Sequence, residues 1–276
     1  MTSPCPLDST ILLLGGGKMG TALLRGWIAS GIAPAAVEVV DPSPSPDLLC
    51  IERQHGIVVN GDRCLHPTAE VIVLAVKPQA AALAVEGIQS RIQQKSLIIS
   101  IMAGKTIEDL RTLFPDAAMV VRAMPNLASA VGRSMTVAIK DGPDHARHVK
   151  FAEDILSAVG HLEWLENEPL MDTATAISGS GPAFVLYFAE CMTSAGMRLG
   201  LPQAVAEQLS RKTIEGVGEL LYRMDQPPVA LRHAVTSPGG TTESGLEILM
   251  ASGQLQTLLD ATVSAAARRS RMLSKL

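Results

Sequence analysis

Residues 11–24 read ILLLGGGKMGTALL. Four aliphatic residues without polar alternation are the pattern of a strand covered on both faces. After the glycines, Met19, Leu23, Leu24, Trp27 and Ile28 recur at helical spacing, and Gly31 ends the pattern. Glycine loses more conformational freedom on folding than any other residue, so three in a row mark a backbone that turns sharply or lets something bulky approach. Gly15, Gly17 and Gly20 satisfy G-x-G-x-x-G between a strand and a helix, with Gly16, Lys18 and Met19 completing the loop. In that context Gly15 makes the tight turn, Gly17 admits a pyrophosphate, and Gly20 lets helix and strand pack, with the anion at the helix N-terminus. No Lys-Ser/Thr pair follows the last glycine, which excludes a P-loop.

Outward from this stretch, strand patterns recur at Val37–Val40, Val71–Val76, Leu97–Ile101 and Met119–Arg122, with edge strands at Met135–Ile139 and His161–Leu165. Helical patterns lie between them, at Gln79–Gln94 and after Thr106, where Thr106 and Asp109 have the spacing of a capping pair. Strand, helix, strand in repetition predicts a parallel sheet with right-handed crossovers. From Glu168 the β-branched runs stop and helical patterns continue to the C-terminus, which puts a boundary at "ENEP", residues 166–169. Ala183–Leu199 is apolar on nearly all sides, so it belongs in a core or against another subunit.

Composition removes several function classes. Of 276 residues 47% are hydrophobic and 18% charged, with net charge −4 and 3% aromatics. That leaves neither a basic surplus for a phosphodiester backbone nor platforms for unstacked bases, so nucleic acid is excluded as a partner. Cys5, Cys50, Cys64 and Cys191 form no CxxC pair and stand at no zinc-ligand spacing, so they read as free thiols and no metal is expected. No secretory signal precedes residue 11, and the apolar stretch Pro182–Ala189 stops at Glu190, too short for a bilayer. The expectation is a cytoplasmic protein without membrane contact.

Asp41, ending the second strand, stands where an acid takes the ribose hydroxyls of NAD, or else caps the turn at Pro42. Ser43 and Ser45 in the following "PSPSP" offer hydroxyls to a 2′-phosphate, so the choice of dinucleotide stays open on these residues. "AVKP", Ala75, Val76, Lys77 and Pro78, ends the third strand at the crevice outside the strand C-termini, and "RAMPN", Arg122–Asn126, ends a later one. Arg122 reads as an ion-pair partner, and Asn126 caps or reaches a ligand. His145 and His148 in "DGPDHARHVK" read as solvated loop histidines, and His161 and His233 as satisfying local hydrogen bonds, so none of the four reads as catalytic. In the helical half, "TAISGSGPAF" (175–184) and "VTSPGGTTESGLEIL" (235–249) are rich in glycine. Ser237, Thr241 and Thr242 surround Gly239-Gly240 before a helix, where amides and hydroxyls together suit a small carboxylate, or where Thr242 serves only as an N-cap.

"GGGKMG", "AVKP", "RAMPN", "SGSGPAF" and "VTSPGGTTESGLEIL", in this order over essentially the whole chain, resemble the pyrroline-5-carboxylate reductase family. The resemblance implies an α/β fold: a Rossmann-type doubly wound sheet at residues 1–167, then an all-α dimerisation and substrate-binding domain at residues 168–276. It implies reduction of 1-pyrroline-5-carboxylate to L-proline, with NADP(H) favoured by the family and NAD(H) allowed by Asp41. Ser237, Gly240, Thr241 and Thr242, with Thr175 and Ser178, would hold the substrate. Thr242 would lie at the imine nitrogen, and Ser43 would match the family's 2′-phosphate contact. Homodimers through the helical domain, and decamers built from them, are likewise implied. The competing readings are a hydroxy-acid dehydrogenase of similar architecture, another imine reductase, and a dinucleotide-binding regulator without activity. Carbonyl reduction needs a strong proton donor, yet no lysine follows Ser178 before Lys212 and no histidine before His233. A cyclic imine is protonated before hydride arrives and requires positioning above all.

Overall fold

The computed structural model describes residues 10–61, 67–143 and 145–274; Cys5 and Cys64 lie outside them. The aliphatic runs form strands β1 (Ile11–Leu14), β2 (Val37–Val40), β3 (Val58–Val59), β4 (Val71–Leu74), β5 (Leu97–Ser100), β6 (Met119–Met124), β7 (Ser134–Asp141) and β8 (Gly160–Trp164). They pair in one sheet in the order β3-β2-β1-β4-β5-β6-β7-β8. Helices α1 (Lys18–Ala29), α2 (Pro46–His55), α3 (Ala81–Glu86), α4 (Ile107–Leu113) and α5 (Ala146–Ser157) connect them.

Successive strand residues point to opposite faces, and both faces are covered. Leu13, Val39, Val73, Ile99 and Val121 pack with Leu23 and Trp27 of α1, Leu48 and Ile51 of α2 and Phe151 of α5. Leu12, Leu14, Ile72, Leu74, Ile98 and Val120 pack with Val85 of α3 and with Leu110 and Phe114 of the α4 segment. Burying each such side chain stabilises the fold by about 1.5–3 kcal/mol. Trp27 has no exposed surface, and its indole N–H donates to the Ile155 carbonyl at 3.0 Å.

Three features depart from the sequence reading. β7 runs antiparallel to β6, although β8 is parallel to β7. Residues 125–133 are too few for the dozen or so that a parallel crossover requires. The helix expected over Gln79–Gln94 is broken into a 3-10 turn at Pro78–Ala80, α3, and a second turn at Gln89–Arg91. Gly87 closes α3, and Arg91 turns inward to make two bonds with Glu38 of β2, at 3.0 and 2.7 Å. Glu38 is thus a buried ion-pair member within a run that reads as an apolar strand. Strand β3 and helices α2 and α5 had no counterpart in the sequence reading. The expected capping box is formed: Thr106 Oγ1 accepts from the Asp109 amide at 3.1 Å, and Asp109 accepts from the Thr106 amide at 2.8 Å.

After β8 the chain is helical: α6 (Leu170–Ala174), a π-type turn (Thr175–Gly179), α7 (Gly181–Arg198), α8 (Gln203–Arg223), α9 (Pro228–Ala234), α10 (Thr241–Met250) and α11 (Gln254–Leu273). Two compact units result. One takes the residues through Ser180 together with Ala266 onward, and the other is Gly181–Ala265. In the second unit α7 and α8 pack together, yet only Ala206 and Ser210 are buried. The apolar helix expected over Ala183–Leu199 is therefore not inside this chain's core. Val185, Leu186, Tyr187 and Phe188 remain 43–66% exposed.

Candidate functional site

β1 lies between β2 and β4, so the chain leaves the sheet centre in opposite directions on either side of β1. That switch point opens a crevice outside the strand C-termini, where open α/β sheets bind ligands. The glycine loop fills its lip. Gly15 donates to the Val40 carbonyl at 2.9 Å and has φ +95°, and a side-chain carbon there would come within 2.7 Å of the Ala75 carbonyl oxygen. A side-chain carbon at Gly20 would come within 2.1 Å of the Gly15 carbonyl, and one at Gly16 within 2.2 Å of Leu48 Cδ2. Packing accounts for these three glycines. Gly17 differs: it has ordinary extended dihedrals, and a side-chain carbon on it would meet nothing within 4 Å. Its bareness serves no protein contact.

Gly17 is also the N-cap of α1, and it brings no side chain to the first-turn amides; that turn contains no acid. An anion is the complement of such a helix start. The residues present thus fit a pyrophosphate. Ala75–Pro78 follow β4 directly against the loop, with Lys77 exposed as the residue before the 3-10 turn. The sequence-predicted cofactor residues Gly15–Gly20, Asp41, Ser43 and Ala75–Pro78 all converge on the C-terminal ends of β1, β2 and β4.

Asp41 has a more definite place than the sequence indicated. Its Oδ2 accepts from the Gly16 amide at 2.6 Å and its Oδ1 from the Ser43 amide at 2.8 Å. The second bond is an Asx turn, which fulfils the turn-cap alternative, while the first ties the end of β2 to the glycine loop. Asn60, which sequence reasoning missed, holds Asp41 by its main chain: the Asn60 side chain accepts from the Asp41 amide and donates to its carbonyl. Ser45 caps α2 by accepting from the Leu48 amide, and it donates to the Gly16 carbonyl at 3.3 Å.

Arg122 is buried and forms an ion pair with Glu168 at 2.6 Å, the structural role expected of it. The same Glu168 oxygen accepts from the Ile107 amide that opens α4. Asn126 caps the following turn through Ala128 and donates to the Ser178 carbonyl at 2.9 Å, so "RAMPN" and "SGSG" are joined. The Ser178 hydroxyl donates to the Ala174 carbonyl. Thr175 accepts from the Ser180 amide at 3.0 Å, the wider helical turn that recurs at functional sites. Thr175 also lines a cavity of about 220 Å³ at the ends of β5 and β6, with Met124, Met171, Ser180, Arg269 and Leu273. Arg269 was not foreseen there.

In the second unit Gly239 has φ +70°, and Gly240, not Thr242, is the N-cap of α10. The N-cap alternative for Thr242 is thereby corrected: Thr241 and Thr242 occupy the first turn with exposed side chains and make no capping bond. Ser237 accepts from the Gly240 amide at 3.0 Å through its carbonyl, which leaves its side chain exposed. Glu243, also missed, accepts from the Gly239 amide at 2.6 Å. The signal was present, since an acid three residues after an N-cap is the capping-box spacing. Thr175 and Ser178 belong to the first unit and Ser237–Thr242 to the second.

The histidines stand apart from these groups. His148 is not the solvated loop residue expected but a buried member of α5, and burial followed by neighbouring His145 holds its imidazole below the ordinary histidine range; His161 faces Glu163, and His233 faces Arg232. Cys50 and Cys191 are free. Among the described residues no cluster of His, Cys, Asp and Glu suits a metal, and no helix is long and apolar enough to cross a membrane.

A switch-point crevice, a glycine loop with one purposeless gap, and a helical second unit define a dinucleotide-dependent oxidoreductase of two-part architecture. The family model described as pyrroline-5-carboxylate reductase dimerisation matches residues 168–273, and that described as NADP oxidoreductase coenzyme F420-dependent matches residues 10–104. Pyrroline-5-carboxylate reductase of Pseudomonas aeruginosa is 32% identical over 96% of this chain and 97% of its own. A solved pyrroline-5-carboxylate reductase from Coxiella burnetii superposes with TM-score 0.88 at 33% identity, covering 97% of this chain and 99% of that one. The Plasmodium falciparum pyrroline carboxylate reductase, solved with NADP bound, gives 0.77 at 28% identity, covering 97% and 98%. The chain belongs to the pyrroline-5-carboxylate reductase family.

Proposed function

We propose that this protein reduces 1-pyrroline-5-carboxylate to L-proline with NAD(P)H. The observation that carries the reading is the Ser237–Thr242 bend, with its exposed hydroxyls beside amides at a helix start, on a chain that reductases of this activity match from end to end.

Gly15, Gly16, Gly17, Lys18, Met19 and Gly20 take the pyrophosphate, Asp41 and Ser43 lie at the adenosine ribose, and Ala75–Pro78 border the nicotinamide half. When bound, the nicotinamide supplies the hydride. Ser237, Gly240 and Thr241 receive the substrate carboxylate, and Thr175 and Ser178 complete the substrate contacts. The Thr242 hydroxyl orients the imine nitrogen. The imine enters protonated, so addition of hydride to its carbon yields a neutral amine and no strong acid is demanded of the protein. A threonine hydroxyl suffices to position it. A hydroxy-acid dehydrogenase would need a lysine or histidine to protonate an alkoxide, and α7, which leads away from Ser180, contains neither.

Residues 168–276 would act as the dimerisation and substrate-binding domain, the dimers assembling further into decamers. The exposed apolar surface of α7 supports the first of these steps. The same reading puts the reaction in the cytoplasm. Consumption of NAD(P)H with 1-pyrroline-5-carboxylate, set beside 2-keto acids, is the test. Turnover of the imine and not of the keto acids is expected, and the reverse would refute the assignment.

A further inference from the structure

We infer that this protein selects NADH over NADPH, because a carboxylate clamped between two backbone amides occupies the end of β2, where an adenosine 2′-phosphate would have to lie. The inference rests on the proposed use of the glycine loop for a nicotinamide dinucleotide.

An acid in this position is often mobile enough to swing away from an approaching phosphate. Asp41 is not. Rotation of its side chain would break the bond from the Gly16 amide at 2.6 Å and the bond from the Ser43 amide at 2.8 Å. The Asn60 side chain fixes the main chain of Asp41 from the other side. Ser43, which would be a phosphate's natural contact, already gives its amide to the Asp41 carboxylate. A phosphate seated on the Ser43 hydroxyl would therefore stand against a fixed negative charge.

Nothing in the turn offsets that charge. Residues 42–45 are Pro-Ser-Pro-Ser, and the first charged residue of α2 is another acid, Asp47. The basic groups of α2, Arg53 and His55, lie in its last turn. Ribose hydroxyls meet the opposite situation. A carboxylate offers about four lone-pair sites, and the two amides leave the others free to accept from O–H donors. The arrangement thus accepts NADH and repels NADPH, and like charges a few ångströms apart near a protein surface justify at least a ~10-fold difference.

Fluorescence titration of the full-length protein with NADH and with NADPH reads the preference directly, without relying on turnover. The expected result is that NADH binds at least ~10-fold more tightly. Asp41→Asn keeps an oxygen for the Gly16 amide but removes the charge, and it should raise the NADPH-to-NADH affinity ratio ~10-fold; Asp41→Ser should move it the same way. Tighter or equal binding of NADPH by the unaltered protein would overturn the inference. Equal weakening of both nucleotides in Asp41→Asn would also overturn it, by reducing Asp41 to a brace. NADH preference without imine reduction would refute the proposed reaction and leave this inference standing, whereas imine reduction with NADPH preference would do the opposite.

Discussion

The sheet unit and the helical unit use apolar side chains in opposite ways. Around the sheet, every residue of β1, β4 and β5 is buried, and helices cover both faces. In Gly181–Ala265 the apolar helix α7 buries nothing, although just before it the same chain packs Met171 and Ala176 fully. The sheet is complete as one copy. The helices present the face of a core whose other half must come from a second chain, as the match of residues 168–273 to a dimerisation model agrees. Nucleotide binding should therefore be a property of the first unit alone, and oligomer formation a property of the second.

The largest effect expected is on assembly. Leu186→Asp in α7 puts a charge on the exposed apolar face, and desolvating an unpaired carboxylate at an interface costs several kcal/mol. Sedimentation should show the dimer weakened at least ~100-fold, while NADH titration stays as in the unaltered protein. Persistence of the dimer would break the division of labour between the units. Gly17→Val makes the reverse cut. Its side chain finds open space in the protein and allowed dihedrals, so circular dichroism and oligomer size should be unchanged while nucleotide affinity falls at least ~30-fold, through blocked backbone approach. Thr242→Ala should lower turnover at least ~10-fold with nucleotide affinity intact. An unchanged rate would remove Thr242 from the chemistry.

The smallest effect lies at the α4 cap. Thr106→Ala should cost about 1 kcal/mol in the melting of the sheet unit, the usual value of an N-cap. Burial alone would raise the Asp109 carboxyl, but the Thr106 amide and hydroxyl, with Lys105 and Arg122, outweigh it and hold the group below its usual range. A depressed carboxylate stabilises the fold above its unfolded pKa and loses that contribution as pH falls through the folded value. The difference in melting temperature between the two proteins should accordingly be full at neutral pH and shrink in acid below about pH 4.

Most of the sheet was legible because burial on two faces leaves no room for polar alternation, and Leu12, Val39, Ile72 and Ile99 carry that constraint locally. β3 was not, since two valines are too short a pattern, and Val58–Val59 pair only because β2 presents an edge. The antiparallel β7 needed a count of linker residues. The break after α3 depends on Arg91 finding Glu38, fifty-three positions earlier, which no local pattern announces. At the site, sequence spacing singled out Asp41 and the glycines, but the bond that ties the carboxylate to the Gly16 amide, twenty-five positions earlier, is announced by no local pattern. The Gly240 cap displaced Thr242 from a role that hydroxyl chemistry alone would have allowed.

Both tryptophans, the fully enclosed Trp27 and the half-buried Trp164, belong to the sheet unit. Emission excited selectively from tryptophan, and not from Tyr187 and Tyr222 of the helical unit, will consequently report the melting of one half of the molecule and stay dark to the parting of subunits through the other. A denaturation curve followed by tryptophan emission and one followed by far-ultraviolet ellipticity should separate wherever the helices let go first.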